Sequence, residues 1–585
     1  MRKITKMIAV MLSVLLMSVF GLTACGGTGS GTGTGNGGNK PNNNTNVDEK
    51  TITIKCVKAG FGTDWLYELK AKFEAAYAEE GYKLNILTPD RSINGDTVIQ
   101  EMYQGYDQMK VDLYITGDVT VEKVSEKGQY GLLVEELSEL VYNQKPVSYD
   151  GTEEELTVLE KLSSDVTPYV TDSTGKVTGF NWVQSSAGLV VNTRKLAQYG
   201  ITQLPRTTDE LFAAFDAIYL GANGLDNSLK SRTFPITYVP GTANGYAKCF
   251  LNTLMAQYSR EFYDQFWSFQ DAEGNRLSDA DAQNLFKHDA VREMLNVAYR
   301  AFDKYISAPG STNQRLDQAQ AKVMGDKDGA VFMFNGDWFL NEVKLNYPTK
   351  LNDIDFINFP VVSALGKKLF GAGSSYNLSD VAADQLFSYI ISLVDENKSI
   401  EEIITAVQTN KGVTLAEADA QEVARARGVS YSRGVEHIAF IVKDSPKKDI
   451  SAKLLRMMAS DDFGKTFTNK ANGATPYYAE VITDSEYAFV NNSSTIPANR
   501  YFSLISSRAT GYRLQLIGSG VEFTSIAQGH IPNYVVTTSS ATIYENGQKV
   551  GDISVYFNAA QILLTSEYNN VVSNWSTYKN KAGLN

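Results

Sequence analysis

Histidine and cysteine are scarce, three of each in 585 positions, beside 66 acidic and 54 basic residues. His288, His437 and His530 are scattered, and no HExxH, paired-cysteine, GxSxG or P-loop spacing occurs. Metal sites and nucleophile motifs of recognisable spacing are thereby excluded, and neither a metal nor a cofactor is expected. A triad assembled by folding is recognised by geometry and stays open. Carboxylates are too plentiful for a pair of them to mark a glycosidase. The shortage of Lys and Arg leaves a formal charge of −12. Nucleic-acid binders concentrate basic residues on one face, so nucleic acid is not an expected partner. No apolar run beyond the N-terminal region approaches the roughly 20 residues a membrane-crossing helix needs.

The N-terminus has what the rest lacks. Arg2, Lys3 and Lys6 precede an apolar run at 7–20 that only Ser13 and Ser18 interrupt, followed by Leu22-Thr23-Ala24-Cys25. A basic start, a short apolar stretch and small residues make a signal peptide, 1–24, rather than a fold element. The last four residues resemble the bacterial lipobox. That resemblance implies acylation of Cys25 before cleavage, and two or three acyl chains suffice for stable anchoring where one does not. Residues 26–50 are Gly, Thr, Asn and Ser with almost no apolar side chain, so they cannot offset the entropy of ordering. They read as a tether reaching about 25–30 Å. With 43% hydrophobic residues, the remainder can bury the cores of at least two domains. Cys56 and Cys249 are expected as buried free thiols, although an oxidising compartment permits a bridge.

Residues 51–57, TITIKCV, alternate as a half-buried strand, and 60–64 break the pattern. Trp65, Leu66, Leu69, Phe73 and Tyr77 then recur at helical spacing. A second strand at 83–87, a helix at 97–106 and a third strand at 111–116 (VDLYIT) follow, ending at Gly117-Asp118. Strands alternating with helices imply a parallel, doubly wound α/β sheet. Ligands of such sheets bind beyond the carboxyl ends of the strands, which places Phe61, Asp64 and Asp118 in candidate loops. The β-rich run at 180–192, with a polar interruption, is suited to cross between two lobes. Thr208 is placed to cap a helix whose apolar face starts at Leu211.

A family resemblance rests on the order of these features: the β–α start, GLL-E-L at 131–137, GLVVN at 188–192, LPRTTDEL at 204–211, DGAVFMFNGDW at 328–338, Phe359-Pro360, and IAFIVK at 438–443 before a helix near 454–459 and Ser460-Asp461. Together with the lipobox they resemble the family 1 extracellular solute-binding proteins. The resemblance covers most of the chain after the tether, though each motif alone is degenerate. It implies a two-lobe periplasmic-binding-protein-like fold of type II, with a doubly wound sheet flanked by helices in each lobe and a ligand cleft between them. The implied function is that of a lipid-anchored, extracytoplasmic receptor of an ABC importer. Such a protein is a monomer and not an enzyme, and it passes a carbohydrate, expected to be an oligosaccharide, to membrane permease subunits. The expected division is a lipidated tether at 25–50, first lobe 51–182, second lobe 183–372, a return to the first lobe at 373–485, and a second-lobe C-terminal part at 486–585. Residues 379–433 contain helical patterns at 385–394 and 400–407 that look inserted, either lengthening the cleft or padding a lobe. A surface-tethered glycan enzyme or adhesin, and a receptor for a non-sugar solute, are the alternatives.

Aromatic residues make up 11% of the chain, with 32 Tyr and five Trp. Sugar rings pack their C–H faces on flat aromatics while their hydroxyls require polar partners around them. Trp338 occupies the Gly-x-Trp position that stacks on sugar in related proteins, with Asn335 and Asp337 beside it; a core Trp is the alternative. Trp65, beside Asp64, faces either cleft or core. Trp182, Gln184 and Ser185 fall at the expected crossover. Tyr246 matches a position from which family members offer an aromatic ring, and Ser375 and Tyr376 fall at an expected second crossover.

Overall fold

Strand β1 (Thr51–Cys56) turns Ile52, Ile54 and Cys56 inward and leaves Thr51, Thr53 and Lys55 half-buried, the alternation of a strand packed harder on one side. Helix α1 (Asp64–Ala76) carries an acidic residue in its first turn, where the helix dipole favours it, and buries Trp65, Leu66, Leu69 and Phe73. The computed structural model describes residues 49–89, 95–117, 119–126, 128, 131–162, 166–183, 186–221, 233–239, 246–326, 329–432, 437–472, 478, 513–514 and 541–581. All of them belong to one compact unit, Glu49–Asn585.

Two sheets divide that unit into lobes. In chain order, β1, β2 (Lys83–Ile86), β3 (Leu113–Ile115) and β4 (Phe180–Asn181) begin the first. Strand β5 (Ser186–Asn192) begins the second. Helix α2 (Thr208–Leu220), β6 (Phe234–Thr237), α3 (Tyr246–Tyr258), α4 (Asp289–Ala301), β7 (Ala330–Gly336), α5 (Phe339–Val343), β8 (Ile354–Ile357) and α6 (Ser363–Phe370) follow it. After α7 (Asp380–Asp395), α8 (Ile400–Lys411), α9 (Glu417–Arg427) and β9 (Ser430–Ser432), the chain returns with β10 (Ile438–Ile441), α10 (Lys448–Met458) and α11 (Asp461–Lys470). The first sheet runs β2-β1-β3-β10-β4, parallel through β2, β1 and β3 and antiparallel at β10. The second runs β11 (Arg513–Leu514)-β9-β5-β7-β6, with β8 also on β5. Every residue of β5 and of β7 is buried, as befits strands covered on both faces. They pair antiparallel, with Val190 opposite Met333.

Chain passages between the lobes follow from sheet membership. One lies between Asn181 and Ser186, in the run from which the sequence predicts a crossing. Where the sequence places the return at 373, the chain stays with the second sheet through β9 and comes back only between Ser432 and Ile438. The reason is packing: α7 lies on α6, α9 lies on α3, and β9 pairs with β5. A third passage falls between Tyr478, whose ring stacks on Phe180 at 4.7 Å, and Arg513, which pairs with Ser430. Helix α12 (Ser554–Ser573) then packs on α4, and Tyr556 donates to buried Asp303 at 2.6 Å. The cap of α2 is Thr207 rather than Thr208: its Oγ1 accepts from Glu210 N, while Thr208 Oγ1 accepts from Ser363 N and ties α2 to α6.

Helices α7 to α9 pack on the second lobe. Arg425 donates to Ala256 O and Gln257 O at 2.9 and 2.7 Å, capping the C-terminal end of α3, where a cation is favoured. Tyr246 stands at the other end of α3, about 18 Å away at 1.5 Å per residue. Cys56 and Cys249 are buried and not bridged to each other, and burial pushes the Cys56 thiol pKa up.

The first lobe is tied by one buried ionic knot. Asp112 accepts from Thr53 N at 2.8 Å, Tyr106 at 2.9 Å and Ser445 Oγ at 2.6 Å, with Lys447 Nζ at 3.4 Å. Lys447 also donates to Thr51 O at 2.6 Å. The knot joins β1, the approach to β3 and the start of α10. Asp112→Asn keeps the shape but strands a buried ammonium, so urea unfolding is expected to show a loss of about 3 kcal/mol. A loss below about 1 kcal/mol, the range of a surface pair, would show that the ammonium is not held by the charge.

Candidate functional site

Five aromatic rings run from the interior of the first lobe into the second. Trp65 stacks on Trp182 with centroids 5.3 Å apart and planes at 23°. Trp182 meets the edge of Phe61 at 5.6 Å, Phe61 meets Trp338 at 5.7 Å, and Trp338 meets Tyr246 at 5.8 Å. Local chain geometry sets each position. Phe61 lies on the turn between β1 and α1, where Gly62 N donates to Ala59 O and Trp65 Nε1 donates to Gly62 O. Trp182 directly follows β4 and donates its Nε1 to Thr116 O at 3.1 Å. Trp338 leads into α5, and Tyr246 opens α3. His437, on the return passage, packs its ring against Phe61 and Trp182, both at 5.6 Å.

The end of β7 is clamped to the start of β5. Asp337 N donates to Ser186 O and Ser186 N donates to Asp337 Oδ2, both at 3.0 Å. The other carboxylate oxygen of Asp337 and the Nδ2 of Asn335 are buried without a hydrogen-bond partner among the described residues. Burial pushes the Asp337 carboxyl up to about 8, against the N–H groups of Ser186, Asp337 and Trp338 that favour the anion. One turn beyond Trp338, Asn341 Nδ2 donates to Gly60 O at 2.6 Å and Asn341 Oδ1 accepts from Asn472 Nδ2 at 3.2 Å. Lys344 Nζ stands 3.6 Å from Asp64. These contacts join the β1–α1 loop of the first lobe to the β7–α5 corner of the second.

The structure thus brings Phe61, Trp65, Trp182, Tyr246 and Trp338 together, with Asn335, Asp337 and Asp64 near them in the chain. Trp65 is fully buried among Trp182, Phe463 and Phe467, so of its two expected surroundings it takes the core. Ser375 and Tyr376 do not join the array. They lie between α6 and α7 rather than on a passage, and Tyr376 donates to Asp419 at 2.7 Å while accepting from Ala416 N. Asp118, Gln184 and Ser185 lie outside the described residues. Sequence reasoning missed Asn341, Asn472, His437 and Phe467. Asn341 carries a faint signal, three residues after Trp338 and hence on the same helix face. Among the described residues no cluster of His, Cys, Asp and Glu is placed to hold a metal ion, and no helix is long and apolar enough to cross a membrane. Two surface cavities, of about 560 and 520 Å³, lie on the second lobe around Tyr258 and Lys368, and no residue of the array lines either.

No family model matches this sequence, and a search of curated proteins finds no match. Solved structures do match. An ABC transporter solute-binding protein from Thermotoga lettingae, bound to α-D-tagatose, is similar at 12% identity and a TM-score of 0.51, over 88% of this chain and 100% of that one. The maltose-bound MalE3 of T. maritima matches at 13% identity and 0.49, over 88% and 99%. The substrate-binding protein Lmo0181 of Listeria monocytogenes, in complex with cycloalternan, matches at 13% and 0.47, over 90% and 98%. The first of these likenesses shows the fold: two lobes of mixed α/β structure, as in periplasmic binding proteins.

Asp337 supplies a test of the site's electrostatics. Its folded pKa of about 8 lies above the unfolded value near 3.9, so its contribution is full below about pH 3.9 and is lost as pH rises through 8. Asp337→Asn removes that slope. Thermal melts are expected to put the variant above the parent by several degrees at pH 9, with the gap closing toward pH 4. A gap independent of pH would mean that the buried carboxyl is ionised throughout.

Proposed function

We propose that this chain is the solute-binding subunit of an ABC-type importer and that it takes a carbohydrate, an oligosaccharide by preference, between its lobes. The observation that carries the reading is Trp338: a broad aromatic ring where the two lobes meet, beside Phe61 and Tyr246, with the unpartnered polar atoms of Asn335 and Asp337 just before it. Flat apolar faces bordered by directional polar groups suit a sugar, which is apolar on its ring faces and polar around its rim. The tagatose bound by the similar Thermotoga lettingae protein supports this class of solute. Family 1 membership is part of the same proposal, resting on the order of the sequence motifs.

The passages at 182–186 and 432–438 act as hinges in this reading, absorbing lobe rotation in a few residues. A solute with higher affinity for the closed form shifts the population toward it, and the permease distinguishes that form. No chemical step is required, and energy coupling belongs to the membrane subunits. Cys25, acylated, holds the receptor on the outer face of the cell membrane, with 26–50 as tether.

Calorimetric titration of the full chain carrying Cys25→Ser, against mono- and oligosaccharides, tests the assignment. Saturable binding without new products is expected, and Trp338→Ala is expected to weaken it by about tenfold or more, the scale of one lost aromatic stacking contact with its buried area. Hydrolysis products would indicate a glycan-acting enzyme, and silence across the panel would sink the saccharide assignment. Separately, Cys25→Ser is expected to move the protein from the membrane pellet to the soluble fraction; retention in the pellet would refute acyl anchoring.

A further inference from the structure

The ring proposed to receive a solute is already covered by the protein itself. Trp338 is only 6% exposed. The backbone of the β1–α1 loop lies against its indole so closely that a Cβ on Gly60 would fall 2.6 Å from Trp338 Cδ1. From the opposite lobe, a Cβ on Gly336 would fall 2.2 Å from Cη2 of the same ring. Any side chain at either position would require the indole to move, so both glycines are conditions of this contact. Phe61 adds its ring at 5.7 Å.

Asn341 fixes the arrangement. Its amide donates to Gly60 O, and its carbonyl accepts from Asn472. Both partners belong to the first lobe, since Asn472 follows α11, which packs on α1. Asn341 stands on α5, whose Phe339, Leu340 and Val343 pack with Val190 and Met333 of the second sheet. One side chain therefore spends both ends of its amide across the seam. The nearby Lys344 and Asp64 pair adds little, because Asp64 is largely exposed and its charge is screened.

We infer that the loop from Val57 to Thr63 is a built-in competitor for Trp338, latched by Asn341, which keeps the lobes together when no solute is bound and lowers apparent affinity until it is displaced. A receptor whose competent state is a fraction f of the population binds with an apparent Kd raised by 1/f, so loosening the latch strengthens binding. Loss of the two Asn341 hydrogen bonds corresponds to about a tenfold gain in the open fraction. The affinity consequence rests on the proposed function; the latch itself does not.

A donor and acceptor dye pair reads the seam directly. Tyr67 on α1 and Leu345 beyond α5 are exposed and lie on different lobes, so Tyr67→Cys and Leu345→Cys in the full Cys25→Ser chain accept labels while Cys56 and Cys249 stay buried. Without saccharide, Asn341→Ala and Asn472→Ala are each expected to lower energy transfer relative to the parent. For any saccharide the parent binds, Asn341→Ala is expected to lower Kd about tenfold. Unchanged transfer in both variants overturns the latch. A raised Kd overturns the competitor role, because it assigns the same contacts to the solute-bound state. If the parent binds no saccharide, the proposed function fails and energy transfer alone decides the latch. Far-UV circular dichroism confirms folding, and Asn472→Ala, altered on the other lobe, decides the matter where Asn341→Ala does not fold.

Discussion

The site depends on the clamp between Asp337 and Ser186. Strand β5 enters the second lobe at Ser186 and β7 leaves its sheet at Gly336, and two reciprocal 3.0 Å hydrogen bonds hold these ends together. Trp338 is the next residue after the clamp, and Trp182 precedes it by four. The corner that presents the indole is therefore fixed to the mouth of the first passage, not left to a free loop. The cost is a buried carboxyl with one oxygen lacking a hydrogen-bond partner among the described residues, relieved by holding its proton.

Magnitudes separate the contacts that hold the seam from those that decorate it. Each aromatic pair contributes about 0.5–1.5 kcal/mol beyond area burial and tolerates sliding, because ring contacts prescribe distance more strongly than direction. The Asn341 hydrogen bonds are of similar net size but directional, and breaking them leaves polar atoms short of partners. The Lys344 and Asp64 pair is worth at most about 1 kcal/mol. Of the ring pairs in the array, Phe61–Trp338 crosses the seam and adds cohesion there, while the Asn341 amide adds direction. No buried charge pair crosses the seam among the described residues.

Local features were legible in the sequence and non-local ones were not. The β1–α1–β2 start, β5 and β7 follow from alternation, helical spacing and continuous apolar runs that each need only their own residues. The crossing near 182 was legible because a polar interruption sits within a β-rich run. The return was misplaced because its position depends on β9 pairing with β5 and β10 pairing with β3, partners more than two hundred residues away. Trp65 was ambiguous because the first turn of a helix borders both loop and core. Trp182, Phe463 and Phe467, remote in sequence, settle its surroundings. The shift of the cap from Thr208 to Thr207 reflects two neighbouring hydroxyls with identical intrinsic preference, separated by which one finds Ser363. Asn341 left only the faint signal of its spacing from Trp338, because an asparagine inside an apolar helix start has no pattern of its own.

The extra length of the chain and the geometry of the site are separable. Helices α7 to α9 add about fifty residues, and they reach α3 through Arg425 at the end remote from Tyr246. Helix α12, near the C-terminus, packs on α4, and Asp303 accepts from Tyr556 there. Both additions enlarge the second lobe without supplying a described residue to the aromatic array or to the Asn341 contacts. The distances that matter, from Gly60 and Phe61 to Trp338, are set by β1, β7 and the clamp. These helices shape the surface of the second lobe, and the seam is left to the few residues that follow β1 and β7.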